Sequence, residues 1–310
     1  MTFCLRAMMV ALGFFGVVYC PLSLVVVCAW RYARRFCPNS AIRLARLLFA
    51  VRISPLVISA FVTVAFALPA FLLLERGPID EDMRTVFFSI CALLLLVGGV
   101  FRAAVAQARA SHQVARWTEG AQPLDAGATV PALQGQQCPP LVLYGVSAPR
   151  VLASETAVAL LSPDELRVAL RHEIGHMRSR DNLKKLLFYV ASFPGMAGLE
   201  LAWRETAEFA ADEAAVSNRD DAVDLASALI KLADLTRLRE SPAFTIGLAD
   251  CTQIVGLRVH RLLDWNESTS RAVPRHWWSF LPLVLGVSCT VTHYGQVLLF
   301  THRFTEWFIH

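Results

Sequence analysis

The chain carries the sequence Arg171-His172-Glu173-Ile174-Gly175-His176, in which two histidines lie four residues apart with a glutamate after the first. On a helix, residues i and i+4 lie on one face, so both imidazoles can point at one ion. The glutamate can then reach a water molecule bound to that ion. The pattern predicts a metal site with His172 and His176 as ligands and Glu173 as the catalytic base.

The residues before this motif predict that it lies on a helix. Residues 162–165, Ser-Pro-Asp-Glu, combine an N-cap, a proline at the first helical position and acidic residues in the first turn. Leu166, Leu170 and Ile174 then recur every four residues and predict a buried stripe. The alternative is a helix with two surface histidines, which only the rest of the chain can exclude.

The composition is that of a membrane protein. Apolar residues occupy 55% of the 310 positions and charged residues only 17%, which is too apolar for an ordinary soluble domain. The net charge of +4 includes no run of Lys and Arg that would favour a nucleic-acid partner. The eight cysteines are scattered without a Cys-x-x-Cys pair, so we interpret them as small buried hydrophobes rather than disulfides or a zinc cluster.

Four apolar runs are long enough to cross a bilayer. We place them at residues 7–30, 53–74, 86–106 and 277–300. A signal peptide is the alternative for the first run, but its length and the runs that follow favour an uncleaved span. Gly98 and Gly99 in the third run would let another helix approach closely.

Charge asymmetry orients these spans. Residues 31–52 contain six arginines and no acid, whereas residues 75–84 contain four acids and two arginines. Because positively charged loops stay in the cytoplasm, we expect both termini outside the cell membrane. The chain then divides into three spans within residues 1–110, a cytoplasmic domain over 111–275, and the fourth span with a short outer tail over 276–310.

The predicted cytoplasmic domain begins with two distinct segments. Residues 111–140 are rich in Gln, Gly and Pro and predict a linker or loop. Residues 141–144 and 151–153 are short apolar runs on either side of a turn that contains Gly145, and they predict a β-hairpin.

A catalytic zinc ion needs a third protein ligand, and the stretch from Glu205 to Glu213 supplies candidates. Glu208 and Asp212 are four residues apart on a predicted second helix. We expect Glu208 to be the third ligand and Asp212 to accept a hydrogen bond from a ligand histidine, which would fix its tautomer. Glu205 is the alternative ligand, and a solvated acidic helix face is the alternative for the whole stretch.

Residues 186–203 are apolar enough for a further span, but a proline, two glycines and Glu200 interrupt the run. A single crossing here would place Glu208 on the opposite side of the bilayer from both histidines. If all three side chains bind one ion at about 2 Å, the segment is instead core of the soluble domain, a re-entrant turn or a helix on the membrane surface.

These residues predict peptide-bond hydrolysis. Zinc lowers the pKa of its bound water and polarises a carbonyl group. Glu173 would take the proton from that water and pass it to the leaving amine. The predicted strand over residues 142–144 would offer its edge to an extended substrate.

The combination of motifs resembles the BlaR/MecR-type membrane metallopeptidases. The matching residues are those at 161–166, His172 to His176, Arg180-Asp181-Asn182-Leu183, Glu208 to Asp212 and 258–263. The resemblance implies a mainly α membrane protein with four transmembrane helices and a cytoplasmic α+β zincin domain of the gluzincin type between spans three and four. It also implies one catalytic Zn²⁺ held by His172, His176 and Glu208, with Glu173 as the base.

The resemblance has one departure. Sensor members of that family carry an extracellular penicillin-binding domain after the fourth span, whereas about ten residues follow Phe300 here. We therefore expect no direct β-lactam sensing, and recognition of a stimulus would need the outer loop, the spans or a separate sensor protein.

Three functions compete. The leading one is an integral membrane zinc endopeptidase in signal transduction, which cleaves a cytoplasmic regulator such as a transcriptional repressor, or its own chain. A quality-control membrane protease of the HtpX type is the enzymatic alternative. The third is a non-proteolytic transducer or scaffold with structural zinc, although structural sites usually have four protein ligands.

Two further expectations concern partners and the transition state. Besides the lipid bilayer and a protein substrate, we consider a separate sensor and a second copy of the chain as partners, with no direct nucleic-acid contact. His260 and Arg258 are candidates for stabilising the oxyanion, but a position on the helix surface is favoured for both.

Overall fold

The computed structural model describes residues 3–33, 40–74, 83–124, 132–136, 138–239, 248–265 and 294–309. The described part is mostly helical. In chain order its helices are α1 (Phe3–Ala33), α2 (Ala41–Val62), a π-helix (Thr63–Ala67), α3 (Leu68–Leu74), α4 (Met83–Thr118), α5 (Glu155–Leu160), α6 (Pro163–Ser179), α7 (Asp181–Val190), α8 (Ala197–Ala215), α9 (Arg219–Arg239), α10 (Leu248–Leu263) and α11 (Tyr294–Ile309).

Three helical stretches are long and apolar enough to cross a membrane, which agrees with the prediction of a membrane protein. They are Phe3–Trp30, Ala41–Leu74 and Met83–Thr118 among the described residues. The second stretch runs without a break through α2, the π-helix and α3, so it begins well before the predicted start at residue 53. Arg52 therefore lies inside a continuous helix.

The predicted fourth span at residues 277–300 lies largely outside the described residues. Only its end is described, as the first turns of α11, which continues to Ile309. Tyr294 at the start of α11 packs against Phe66 with 5.5 Å between ring centroids. Its hydroxyl donates a hydrogen bond of 2.9 Å to the carbonyl oxygen of Ala65 in the π-helix.

The interpretation of residues 111–140 as a linker is wrong in part. Helix α4 continues to Thr118, because residues 111–118 join the preceding Ala- and Gln-rich turns, which have high helix propensity. Two short strands follow, β1 (Gln122–Leu124) and β2 (Ala132–Gly135). Strand β2 is stabilised by pairing with a strand that begins fifteen or more residues later, and local composition does not reveal such a long-range partner.

The predicted hairpin is confirmed as strands β3 (Leu141–Tyr144) and β4 (Arg150–Ser154), which pair antiparallel. The sheet has the strand order β1-β2-β4-β3, in which β2 and β4 are parallel. Strand β3 therefore has a partner on one side only and forms an edge of the described sheet. Strand β4 is central, and Val151, Leu152 and Ala153 are almost completely buried.

Residues 186–203 do not form one continuous helix. They form the end of α7, a turn at 191–196 and the beginning of α8. The turn is fixed to the long helices, since Tyr19 and Arg52 both donate hydrogen bonds to the carbonyl oxygen of Ala191, at 3.1 and 2.8 Å. The chain thus doubles back, as the shared-ligand argument predicts.

Helix α4 approaches α7 closely at a glycine. A Cβ atom on Gly99 would collide with the carbonyl oxygen of Val190 at the end of α7, whereas a Cβ on Gly98 would have no atom within 4 Å. The prediction that this glycine pair admits another helix therefore holds for Gly99.

We expect Gly99→Ala to destabilise the protein and Gly98→Ala to leave it unchanged or slightly more stable. The methyl group at position 99 forces α7 away from α4, and overpacking of this kind costs about 1–3 kcal/mol. At position 98 only the higher helix propensity of alanine acts. Thermal unfolding of the two detergent-solubilised variants measures the difference. Equal melting temperatures would contradict the packing described.

Candidate metal centre

Helix α6, which carries the histidine motif, begins where the sequence predicts. The hydroxyl of Ser162 accepts a hydrogen bond from the backbone N–H of Glu165 at 3.2 Å, and the Glu165 carboxylate accepts one from the N–H of Ser162 at 2.8 Å. This reciprocal pair is a capping box. Leu170 and Ile174 are buried and Leu166 is partly buried, so the predicted apolar stripe is also confirmed.

Helix α8 lies against α6 at a point where both backbones carry small side chains. A Cβ atom on Gly175 would lie 3.3 Å from the Cα atom of Ala211. Because Gly175 precedes His176 and Ala211 precedes Asp212, this contact places the polar residues of the two helices side by side. The second helix that the sequence predicts is therefore present and faces the first.

The three predicted ligands meet in one place. The Nε2 atoms of His172 and His176 are 3.2 Å apart, and each is 3.6 Å from a carboxylate oxygen of Glu208. Two ligand atoms at about 2.05 Å from a tetrahedral zinc ion are separated by about 3.3 Å. The two imidazole nitrogens thus have the spacing of zinc ligands, and the two oxygens of the Glu208 carboxylate face them, one to each nitrogen. The group has no fourth ligand residue among the described residues.

The other nitrogen of each histidine is held by a carboxylate. The Nδ1 atom of His172 lies 2.9 Å from Asp212, and that of His176 lies 2.8 Å from Asp181. An ionised carboxylate can only accept, so each Nδ1 donates, and Nε2 is the nitrogen that would bind a metal once the imidazole is neutral. The contact of Asp212 is the one that the spacing from Glu208 predicted.

Asp181 belongs to the matching stretch Arg180 to Leu183, but the sequence assigned it no role because its position depends on an unusual turn. Arg180 has a left-handed backbone with φ 54° and ends α6, so that α7 starts directly beside it. This turn brings Asp181 back beside the ring of His176. A left-handed turn at an arginine is not expected from composition.

Arg258 is buried at the centre of the site, so the favoured position on the helix surface is wrong for this residue. Its guanidinium donates to both oxygens of Asp212, at 2.8 and 2.6 Å, and to Glu208 at 3.0 Å. The side chain is only 8% exposed. His260, two residues later, is 80% exposed and pairs with Asp264. The expected position on the helix surface is therefore confirmed for His260.

The close packing of acids and bases shifts their pKa values. Burial alone lowers the pKa of His176, but the carboxylates of Asp181 and Glu208 outweigh it and raise that pKa to about 10. Burial raises the pKa of Glu208, but the two histidines and Arg258 outweigh it and hold the pKa well below its usual range. The site therefore keeps its carboxylates ionised, and a metal ion that binds must displace protons from the histidines.

The remaining predicted residues lie close by. Glu173 is half-buried on α6, near enough to His176 and Arg258 to interact with both charges. Glu205, the alternative ligand, lines the adjoining cleft but does not belong to the group of His172, His176 and Glu208.

A cleft of about 760 Å³ opens beside two of the three ligands. Residues 142–146 of β3 and its following turn form one wall, and the end of α4 from Ala106 to Trp117 forms another. His176 and Glu208 also line it. The extension of α4 that the sequence analysis assigned to a linker is thus part of the cleft.

This arrangement, two histidines and a glutamate from a pair of facing helices beside a sheet edge, is that of a metallopeptidase. The sequence agrees, since residues 143–304 match Peptidase family M48. The match covers more than half of the chain, which therefore belongs to peptidase family M48, a family of zinc-dependent metallopeptidases. The finer resemblance to the BlaR/MecR type is not confirmed by this match. A search of curated proteins finds no sequence that matches this chain.

We expect Arg258→Gln to destabilise the protein by about 3–5 kcal/mol, because it leaves the buried carboxylate of Asp212 without its counter-charge. His260→Gln is the matched control, since it changes an exposed residue on the same helix and should stay within about 0.5 kcal/mol of wild type. Chemical unfolding of the solubilised proteins gives both values. A similar loss in the two variants would contradict the buried position of Arg258.

Proposed function

We propose that this protein is an integral membrane zinc endopeptidase. The observation that carries the proposal is the convergence of His172, His176 and Glu208. The two Nε2 atoms are 3.2 Å apart, as two ligands of one tetrahedral zinc ion would be, and the Glu208 carboxylate faces both of them. A structural zinc site, as in a scaffold, would be closed by a fourth protein ligand. The group contains three such residues within the part of the chain that the structure describes.

The roles of the side chains follow from their positions. Zinc, when bound, polarises a carbonyl group and activates water. Glu173 follows the first ligand on the same helix, where it can accept the proton of the attacking water and return it to the leaving amine. Asp212 and Asp181 hold the two imidazoles in the orientation that directs Nε2 to the ligand position. Arg258 fixes Glu208 and Asp212 together.

The shape of the cleft favours an extended polypeptide over a small ligand. The wall from Ala106 to Trp117 on α4 is about 16 Å long, from a rise of 1.5 Å per residue. About five residues of a substrate in β conformation would fit along it. This length supports internal cleavage of a chain, in which residues on both sides of the scissile bond are bound.

The cellular role is proposed from the sequence. The arginine-rich residues 31–52 favour a cytoplasmic peptidase domain and outer termini in a multi-pass protein of the cell membrane. Signal transduction through one cytoplasmic regulator, through the chain itself, or with a separate sensor or second copy as partner, is the leading proposal. Quality control of membrane proteins is the second, supported by the position of the cleft beside a helix long enough to cross the membrane.

We expect Glu173→Gln to keep its zinc and to lose cleavage by a factor of about 10² to 10⁴, the usual contribution of a positioned acid–base group. Glu155→Gln, an exposed change on the short helix α5, is the control and should cleave normally. Comparative proteomics of cells that express each variant identifies the protein fragments that are present with the wild type and absent with Glu173→Gln. A single such fragment indicates signalling, and many fragments of membrane proteins indicate quality control. Unchanged fragments with Glu173→Gln would contradict the peptidase.

The edge of β3 carries backbone groups that suit an extended substrate. Ser154 donates to the carbonyl oxygen of Pro140 across the hairpin, and bonded pairs alternate along an antiparallel ladder. The backbone groups of Val142 and Tyr144 therefore face β4, whereas the N–H and C=O of Leu143 point outward. The amide of Asn182 donates to the carbonyl oxygens of Gly145 at 3.0 Å and Leu143 at 3.4 Å, which fixes this edge next to the turn that carries Asp181 and leaves the outward N–H of Leu143 for a substrate.

We expect Leu143→Pro to raise the KM for a peptide substrate with a smaller change in kcat, because it removes an outward N–H without breaking a bond to β4. Leu143→Ala is the control for loss of the side chain alone. Steady-state kinetics on a peptide taken from the identified cleavage site measures both constants. A KM equal to that of the alanine variant would exclude pairing of the substrate through this N–H.

A further inference from the structure

A second cavity of about 380 Å³ lies between α4, α7 and α8, next to the turn at 191–196. Three basic side chains line it, namely Arg102, Lys185 and Arg204. They come from three different helices, and all three are exposed. The cavity is therefore a place where the fold brings positive charges together that are far apart in sequence.

These charges have no carboxylate partner in the described part of the chain. Arg102 donates to the hydroxyl of Ser192 at 2.6 Å and lies 6.0 Å from the ring of Tyr189, both of which are neutral. The one acidic residue in the lining, Glu200, is paired with the buried Arg52 at 2.6 Å. The cavity thus retains a positive charge that a ligand could neutralise.

The position of the cavity relative to the apolar helices limits the kind of ligand. Residues 53–74 and 85–101 contain no charged residue, and Arg52 and Arg102 are the charges at which these two apolar stretches end. Both arginines contact the same turn, at Ala191 and Ser192. The turn and the cavity therefore lie at the boundary between the hydrocarbon region and the headgroups.

The lining is polar at one end and apolar at the other. Leu95 lies two helical turns before Arg102 on α4, and Phe193 and Pro194 complete an apolar wall. A free phosphate ion has no apolar part that could pack against this wall. A ligand with an anionic phosphate and acyl chains would satisfy both ends, and the volume lies within the range of small-molecule sites.

We propose that this cavity binds the headgroup of an anionic phospholipid, with the phosphate at Arg102, Lys185 and Arg204 and an acyl chain along Leu95 and Phe193. Lys185 and Arg204 also line the substrate cleft, so the bound lipid adjoins that cleft. The proposal does not depend on peptidase activity, since it rests on the cavity, its charge and its depth.

The test measures lipid retained by the full-length protein. Purified protein is incubated in detergent with phosphatidylglycerol or with phosphatidylcholine, and bound lipid is counted by native mass spectrometry. The variant Lys185→Gln with Arg204→Gln should bind phosphatidylglycerol about thirtyfold more weakly, since each basic residue near a lipid surface contributes a factor of about five. The double variant Arg150→Gln with Arg219→Gln removes two exposed charges elsewhere and should bind like wild type.

A charge-conserving variant, Lys185→Arg with Arg204→Lys, should retain binding, which shows that substitution at these positions does not itself disrupt the fold. Equal binding of phosphatidylglycerol and phosphatidylcholine by the wild type would overturn the proposal. An equal loss of phosphatidylglycerol binding in the two double glutamine variants would also overturn it. Displacement of the lipid by millimolar inorganic phosphate would show a site for small anions instead. Displacement by a soluble acidic peptide would assign the charges to a substrate segment and would also overturn it.

Discussion

The site depends on two carboxylates beside two imidazoles. Asp212 is buried, and Glu208 is about one-third exposed. An isolated buried carboxylate is too costly to keep ionised, and paired acids on one helix face would otherwise repel. Arg258 removes this obstacle, because its guanidinium bonds both oxygens of Asp212 and one of Glu208. Asp212 can then hold the Nδ1 atom of His172, and the Nε2 atom is left for the metal. Arg258, which lies on α10, thus holds the ligand Glu208 and the carboxylate that orients His172.

The helix that carries these carboxylates is held by the first half of α2. Glu213 accepts hydrogen bonds from the hydroxyl of Ser40 and the N–H of Ala41, both at 3.0 Å, at the beginning of α2. At the other end of α8, Glu200 pairs with Arg52 of the same long helix. Glu208 lies between these two points. The position of the third ligand is therefore tied to a helix that is long and apolar enough to cross the membrane.

Local signals in the sequence were sufficient for the two site helices and the hairpin. The cap at Ser162, the repeat of histidines and the spacing of Glu208 and Asp212 each act over a few residues. The contacts that the sequence did not predict join distant parts of the chain or depend on an uncommon backbone conformation. Arg258 meets Asp212 from another helix, Asp181 needs the left-handed turn at Arg180, and β2 depends on pairing with β4. The ends of α2 and α4 were misplaced because hydropathy measures the apolar run and not the helix that contains it.

We propose that His172, His176 and Glu208 hold one zinc ion with an open position. X-ray absorption at the zinc edge of the purified full-length protein measures the ligands of that ion. We expect one zinc per chain, surrounded only by nitrogen and oxygen at about 2.0–2.1 Å, with the signature of two imidazoles. Sulfur at about 2.3 Å, which would indicate cysteine ligands and a structural site, or a protein that purifies and reconstitutes without zinc, would contradict it.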